Sequence, residues 1–225
     1  MVVCPRCEDE YSYLGVHWSK GCGFPEIPDR KKSILKGVLL GDGYIDTSNK
    51  NPRLILVNTN KEYLDYVMES LSWVASSYRV NISAKENAKL KRKSGFDESA
   101  SEENYSDVYN LYTRSHPYFK NLNQWYDSGE KSFPSELVLD DQCLRHWIAC
   151  DGNKKDNYLR ISANNERNSI SKLETIFDRY GMPVKRFDKG ERFMNLCFST
   201  KVSKKFWERT KPVPGFEYKW PDKYS

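Results

Sequence analysis

The sequence predicts an α+β fold of two αββαββα repeats, residues 30–134 and 135–225, behind a small metal-binding module at 1–29. Three observations carry this. Two apolar helical stretches about a hundred residues apart, one from Leu35 and one from Leu144, each end in Asp-Gly. Each is followed by a similar succession of strands and helices, and each succession closes on a Lys ahead of an aromatic-Pro pair. The first segment holds cysteines and a histidine in the pattern C-x2-C-x9-H-x4-C.

The N-terminal module comes first. Cys4-Pro5-Arg6-Cys7 is a CxxC knuckle, with His17 and Cys22 following. Three thiolates and one imidazole suit a closed tetrahedral Zn²⁺ site. Tyr11, Tyr13 and Leu14 supply a minimal apolar core. So short a segment cannot fold on core burial alone, and metal binding would supply the folding energy. The spacing resembles CCHC zinc fingers, in which a hairpin carries the Cys pair and a short helix carries His and Cys. Gly23-Phe24-Pro25-Glu26-Ile27-Pro28 reads as a linker, its prolines stopping the preceding element.

In the first repeat, Asp29 is placed to cap a helix that runs through Leu35-Lys36-Gly37-Val38-Leu39-Leu40-Gly41. Gly37 and Gly41 fall on one face, where a second helix can approach closely. A mid-helix Gly costs about 1 kcal/mol against Ala, so two of them ask for a packing reason. Asp42 sits at the helix C-terminus, where free carbonyls and the negative dipole end attract a cation. A carboxylate beside carbonyls is a hard oxygen donor set suited to Mg²⁺. Strands follow at 44–46 and 53–58, joined by a polar turn at 47–52. Tyr63, Val67, Leu71 and Val74 recur at helical spacing, and 78–84 alternates as a strand with Arg79, Asn81 and Ser83 opposite Val80 and Ile82. The basic run 85–93 and the acidic run 97–103 read as one long exposed loop. A strand at 107–113 and a helix at 117–125 complete the repeat.

In the second repeat, Asp140 is placed to cap the helix that ends in Cys150-Asp151-Gly152. Residues 153–156 read as a polar turn, 158–163 as a strand, and 166–180 as a helix with Ile170, Leu173, Ile176 and Phe177 inward. Val57 to Glu62 aligns with Ile161 to Glu166, a strand exit followed by a helix start. Segments 184–187 and 192–199 read as a hairpin, and 204–209 as a short helix. Glu217-Tyr218-Lys219-Trp220-Pro221 echoes Glu130-Lys131-Ser132-Phe133-Pro134.

The paired Asp-Gly helices resemble the two signature motifs of a single-chain LAGLIDADG homing endonuclease. Leu35 to Gly43 matches the first motif, and Leu144, Asp151 and Gly152 the second. The second copy departs from the pattern at His146 and Cys150, where glycines are common. The resemblance covers about residues 31–221. It implies two units related by a pseudo-twofold axis, the motif helices at the interface and two four-stranded sheets forming a saddle on double-stranded DNA. It implies Mg²⁺ (or Mn²⁺) held by Asp42 and Asp151 with the backbone carbonyls of Gly41 and Cys150. Lys131 and Lys219 match the family's lysines near the active site. The activity implied is hydrolysis of one bond per strand, a staggered break with 3′ overhangs. A two-stranded ribbon fits the major groove. The residues of suitable type on strands and turns are Asn49, Lys50, Asn51, Arg53, Arg79, Asn81, Lys154, Lys155, Arg160, Lys185, Arg186 and Arg192. A monomer with two unlike halves implies a long, asymmetric site.

Composition agrees without deciding. A net charge of +5 suits a polyanion partner. No apolar run approaches the roughly 20 residues of a membrane span, and the N-terminus has cysteine and charge where a signal peptide needs an apolar stretch, so an intracellular location is expected. The other cysteines, Cys143, Cys150 and Cys197, are scattered in apolar surroundings and read as reduced thiols. Two other readings stand on the same fold: a maturase that binds intron RNA, and a DNA-binding protein without catalysis. Degenerate relatives often lose the acids, and this chain keeps both. An intein-resident domain lacks support, because no splicing blocks flank the repeats.

Overall fold

The computed structural model describes residues 1–127, 130–164, 169–190 and 194–224. A two-stranded ribbon of β1 (Val2–Val3) and β2 (Glu10–Tyr11) precedes a one-turn helix α1 (Leu14–His17), which continues as a wider turn over Trp18–Cys22. The hairpin thus carries Cys4 and Cys7, and the helical turn carries His17 and Cys22. The small core here is Cys4, Leu14 and Trp18, while Tyr13 is exposed. Trp18 therefore replaces Tyr13 in the expected core.

The first repeat runs α2 (Asp29–Leu40), β3 (Gly43–Asp46), β4 (Arg53–Asn58), α3 (Lys61–Leu71), β5 (Ala75–Ile82), α4 (Ala84–Lys93), β6 (Val108–Thr113) and α5 (Tyr118–Asn123). A short ribbon, β7 (Tyr126–Asp127) with β8 (Glu130–Lys131), leads on. The second repeat runs α6 (Asp141–Asp151), β9 (Gly152–Lys155), β10 (Tyr158–Ser162), α7 (Ile170–Arg179), β11 (Val184–Lys189), β12 (Met194–Phe198) and α8 (Thr200–Arg209). Apart from α4, both repeats read αββαββα. The two antiparallel sheets have the same order, β3-β4-β6-β5 and β9-β10-β12-β11. This is the α+β fold class the sequence predicts.

One face of each sheet is apolar and packs on helices. Leu54, Leu56 and Leu111 of the first sheet, and Leu159, Ile161 and Leu196 of the second, join one continuous core with α2, α3, α6, α7 and α8. Trp147 of α6 stacks on Phe177 of α7 at 5.6 Å between ring centroids. Period-two alternation sends the neighbouring residues to the opposite, wetter face.

Several expectations need correction. Asp29 is the first residue of α2, and Pro28 holds the cap position. Asp140 does cap α6, accepting from the Cys143 amide at 2.9 Å. Residues 83–93 are no loop: Ser83 caps α4, its hydroxyl accepting from the Glu86 amide at 3.3 Å. Gly152–Lys155 is a strand, and the turn is confined to Asp156 and Asn157. Strand β5 begins at Ala75, its register shifts between Val80 and Ile82, and Val80 is exposed. Helix α8 begins four residues earlier than expected. The repeat alignment is off by one. Gly43 pairs with Leu56, and Gly152 with Ile161, so Leu56 matches Ile161 and Asn58 matches Ala163.

Candidate active site

Helices α2 and α6 lie side by side and parallel. Ser33 near the start of α2 donates to Asp140, the cap of α6. Further along, a Cβ on Gly37 would sit 2.3 Å from the Cys143 carbonyl oxygen, and one on Gly41 would sit 2.3 Å from the Cys150 Cβ. The two glycines of α2 are what admit α6 this closely. The departures at His146 and Cys150 are accommodated because α2 supplies the empty space and α6 the side chains. His146 is fully buried and its pKa falls to about 3, through desolvation first and the Arg145 charge second. The Tyr63 hydroxyl of α3 joins it, 3.0 Å from His146 Nδ1 and 3.6 Å from Cys150 Sγ.

The parallel packing brings both Asp residues to one end. Asp151 is the last residue of α6, with its Oδ2 only 3.7 Å from where a Gly41 Cβ would be. Asp42 follows Gly41, the last turn of α2. Burial raises the Asp42 pKa; Lys219, a hydrogen bond from Asn58, Lys131 and Cys150 act against the rise. The Asn58 side-chain amide donates to Asp42 Oδ2 at 2.9 Å. Its oxygen accepts from the Asn60 backbone, which fixes which way the amide points.

Both predicted lysines are buried here and play matching parts. Lys131 Nζ donates to the carbonyls of Leu40 at 3.1 Å and Gly41 at 2.9 Å. Lys219 Nζ donates to those of Ala149 and, at 3.1 Å, Cys150. Each repeat thus ends on a lysine that caps its own motif helix, satisfying orphan carbonyls at the negative dipole end. Desolvation lowers the Lys219 pKa, while Cys150, Asp42 and Asp151 work to keep it charged. The carbonyls of Gly41 and Cys150 therefore already accept one hydrogen bond each. A carbonyl has two lone pairs, so this does not exhaust them. Two carboxylates, two carbonyls and a partly desolvated setting form an all-oxygen donor set that fits a hard divalent cation.

The other candidates divide by sheet face. Across the wet face of the first sheet, Asp46 pairs with Arg53, Ile55 with Tyr112, and Asn110 with Arg79. Arg53 is held by Asp46 at 2.9 Å, and both Arg53 and Arg79 lie over the Tyr112 ring, at 4.7 and 5.1 Å from its centroid. Asn49, Lys50 and Asn51 occupy the β3–β4 turn, and Asn81 falls at the β5 register shift. On the second sheet Lys155, Arg160 and Arg186 share the wet face with Tyr158 and Asn153. Lys154 does not: its ammonium reaches back to the Trp220 carbonyl at 3.3 Å. Lys185 is exposed at a register shift, and Arg192 lies outside the described residues. Sequence reasoning missed Asn58, Tyr63 and Tyr112. A polar Asn ending an apolar strand was the available signal for Asn58.

At the N-terminal module the ligand atoms of Cys4, Cys7, His17 and Cys22 all lie within 4.8 Å of one another. Cys4 Sγ is 3.8 Å from Cys22 Sγ, and Cys7 Sγ is 3.3 Å from His17 Nε2. Tetrahedral zinc with bonds of about 2.3 Å to sulfur needs its sulfurs about 3.8 Å apart. The cluster fits Zn²⁺. Burial of Cys4 opposes ionisation, yet the amides of Cys7 and Arg6 and the Trp18 indole bring its pKa down to about 6. None of the six cysteines is in a disulfide.

Comparison with known proteins places this geometry. The fold is that of a solved homing endonuclease, I-WcaI bound to its DNA recognition sequence, with a TM-score of 0.73 over 92% of each chain at 16% identity. The I-DmoI complex with DNA and Mn aligns at a TM-score of 0.48 and 13% identity, over 80% of this chain and 95% of that one. The sequence model of the LAGLIDADG DNA endonuclease family matches residues 32–206, and the chain belongs to that family. A curated relative, Uncharacterized protein MJ1098 of Methanocaldococcus jannaschii, is 28% identical over 127 residues, 56% of this chain. The chain spans 44% of that relative's length. Among the described residues, no helix is long and apolar enough to cross a membrane.

Proposed function

We propose that this chain is a site-specific DNA endonuclease that cuts both strands of a long, asymmetric duplex site with divalent metal, leaving 3′ overhangs. The observation that carries the reading is the meeting of Asp42 and Asp151 at one end of the helix pair, each with a buried lysine closing its own helix. Residues 30–134 and 135–225 would act as two half-site units of one monomer, laying their wet sheet faces on the duplex as a saddle. Arg53, Arg79, Arg160 and Arg186 are of the type that reads guanine edges or binds phosphate.

Asp42 and Asp151, with the Gly41 and Cys150 carbonyls, would hold Mg²⁺ or Mn²⁺, which would supply Lewis-acid polarisation of the scissile phosphate and a more acidic water. The chain's own residues do the rest. Asn58 fixes the Asp42 carboxylate, so its oxygens are aimed before substrate arrives. Lys131 and Lys219 place positive charge in a desolvated setting, where it stabilises charge building on the phosphate. The helix pair itself sets the spacing of the two carboxylates. Zn²⁺ at Cys4, Cys7, His17 and Cys22 would fold the N-terminal module and has no part in this chemistry.

The test is a cleavage selection on a randomised-site duplex library with Mg²⁺, run beside an Asp42→Asn/Asp151→Asn variant. One long site, cut with 3′ overhangs only by the parent, is the expected result. Enrichment of a site by binding, with neither protein cutting, would refute the nuclease and leave a DNA binder.

A further inference from the structure

Among the described residues, helix α4 has no counterpart in the second repeat. It is inserted between β5 and β6, whereas only residues 190–193 separate β11 from β12 in the sequence. Its inner side is well accounted for. Ala88 is buried, Asn87 donates to the Ser106 carbonyl at 3.2 Å, Arg92 donates to the Ala100 carbonyl, and the Lys91 ammonium lies 4.6 Å from the Phe96 ring centroid. These contacts hold an otherwise isolated ten-residue helix in place.

Its outer side has no such account. Lys85, Lys89 and Lys93 are exposed at i, i+4 and i+8, so they form a slanting row that climbs about 6 Å per step. Like charges at this spacing weaken a helix. Lys85 also sits at the positive dipole end, where a cation is unfavourable. The same insertion is rich in Asp and Glu, yet none of the three lysines makes an ion pair among the described residues. Lys93, in the last turn, is favoured by the dipole, so the cost to the helix falls on Lys85 and Lys89.

The position of α4 suggests what it serves. Strand β5 delivers the chain to α4 at the same end of the sheet as Asn58, which holds Asp42. The strand order puts β5 two strands from β4 and three from β3, so α4 begins about 10 Å to the side of Asn58 and about 14 Å from the strand that Asp42 opens. It also follows directly on the wet-face residue Arg79 and on Asn81.

We propose that the Lys85–Lys89–Lys93 face of α4 grips the phosphate backbone of the duplex beside the cut, on the first-repeat side only. This rests on the DNA reading above. Each phosphate neutralised contributes about 0.9 to the slope of log affinity against log salt. Loss of three contacts should flatten that slope by about 2.7, so over a fourfold rise in salt the parent loses about 40-fold more affinity than the variant.

The experiment measures binding of a labelled mixed-sequence duplex across a salt series. Three proteins are compared: the parent, a Lys85→Gln/Lys89→Gln/Lys93→Gln variant, and a Lys201→Gln/Lys204→Gln/Lys211→Gln control. The control makes the same change of net charge at exposed positions on and just after α8, which packs against the core face of the second sheet. The expected result is a flatter slope for the α4 variant and a parental slope for the control, with neither variant melting below the parent. Equal slopes for the two variants would overturn the proposal while leaving DNA binding intact. No salt-dependent binding by the parent would remove the DNA reading itself, and this one with it.

Discussion

Replacing Gly37 by Ala tests the helix pair on which the site depends. At an exposed helical position the change would stabilise by about 1 kcal/mol. Here the new Cβ would sit 2.3 Å from the Cys143 carbonyl oxygen and 2.9 Å from the His146 Cβ. Neither neighbour is the loose end of a side chain. To restore ordinary contact, α2 and α6 must part by about 1 Å, loosening the packing around Leu35, Leu39 and Leu144. Overpacking of this kind costs about 1–3 kcal/mol, and a backbone oxygen as the obstacle places it at the upper end. The net loss is then about 2 kcal/mol, once the helix-propensity gain is subtracted. For a chain of this size that is about 4–8 °C in melting temperature. Differential scanning calorimetry reads it directly, with Gly15→Ala as the control, since a Cβ there meets nothing within 4 Å. Melting of Gly37→Ala at or above the parent would refute the close parallel packing. Cleavage should fall as well, because parting the helices separates Asp42 from Asp151.

Other tests follow from the same geometry. Lys131→Met and Lys219→Met should each slow cleavage about 100-fold while DNA affinity changes little, read by single-turnover kinetics; a loss confined to binding would move these lysines out of the chemistry. Cys4→Ser should bring bound zinc towards zero by mass spectrometry, and an unchanged metal content would rule out the four-ligand site. Asn58→Ala should slow cleavage about tenfold with binding intact, because it removes the side-chain amide that holds the Asp42 carboxylate at 2.9 Å; an unaltered rate would show that the carboxylate needs no such support.

Most of the fold was legible in the sequence because it is written in periodicities. The apolar run of 54–57, the alternation of 158–162 and the helical recurrence in 61–71 and 170–179 each mark a buried element. Helix α4 escaped because its buried side is little more than Ala88, which leaves no apolar stripe to see. The signal was there in another form: Ser83-Ala84-Lys85-Glu86 is a capping-box sequence. Strand β9 escaped for a different reason. With Asn153 and Lys155 on the wet face and Lys154 reaching across to Trp220, it has no apolar residue beyond Gly152 to alternate with. The two aspartates and the two closing lysines were legible because chemistry repeats where packing does not. Asn58 was not, because its role depends on strand register, and sequence similarity put the repeats one residue out of step.

That one-residue correction bears on function. In the corrected register Asn58 of the first repeat corresponds to Ala163 in the second, and alanine has no side-chain donor. The amide that aims Asp42 therefore has no equivalent at that position beside Asp151. The helix pair is unequal in the same sense, since α2 offers glycines where α6 presents His146 and Cys150. The insertion of α4 adds a third difference, again on one side only. A duplex lying across this site would present its two strands to carboxylates in unlike settings, although the backbone around them is nearly symmetric. We predict that the two strands are cut at different rates, with a nicked duplex accumulating before the double-strand break. Strand-specific labelling of the selected site resolves the two steps, and Asn58→Ala should slow one of them far more than the other. Equal slowing of both would mean that the carboxylates act as one unit, and that the asymmetry belongs to recognition alone.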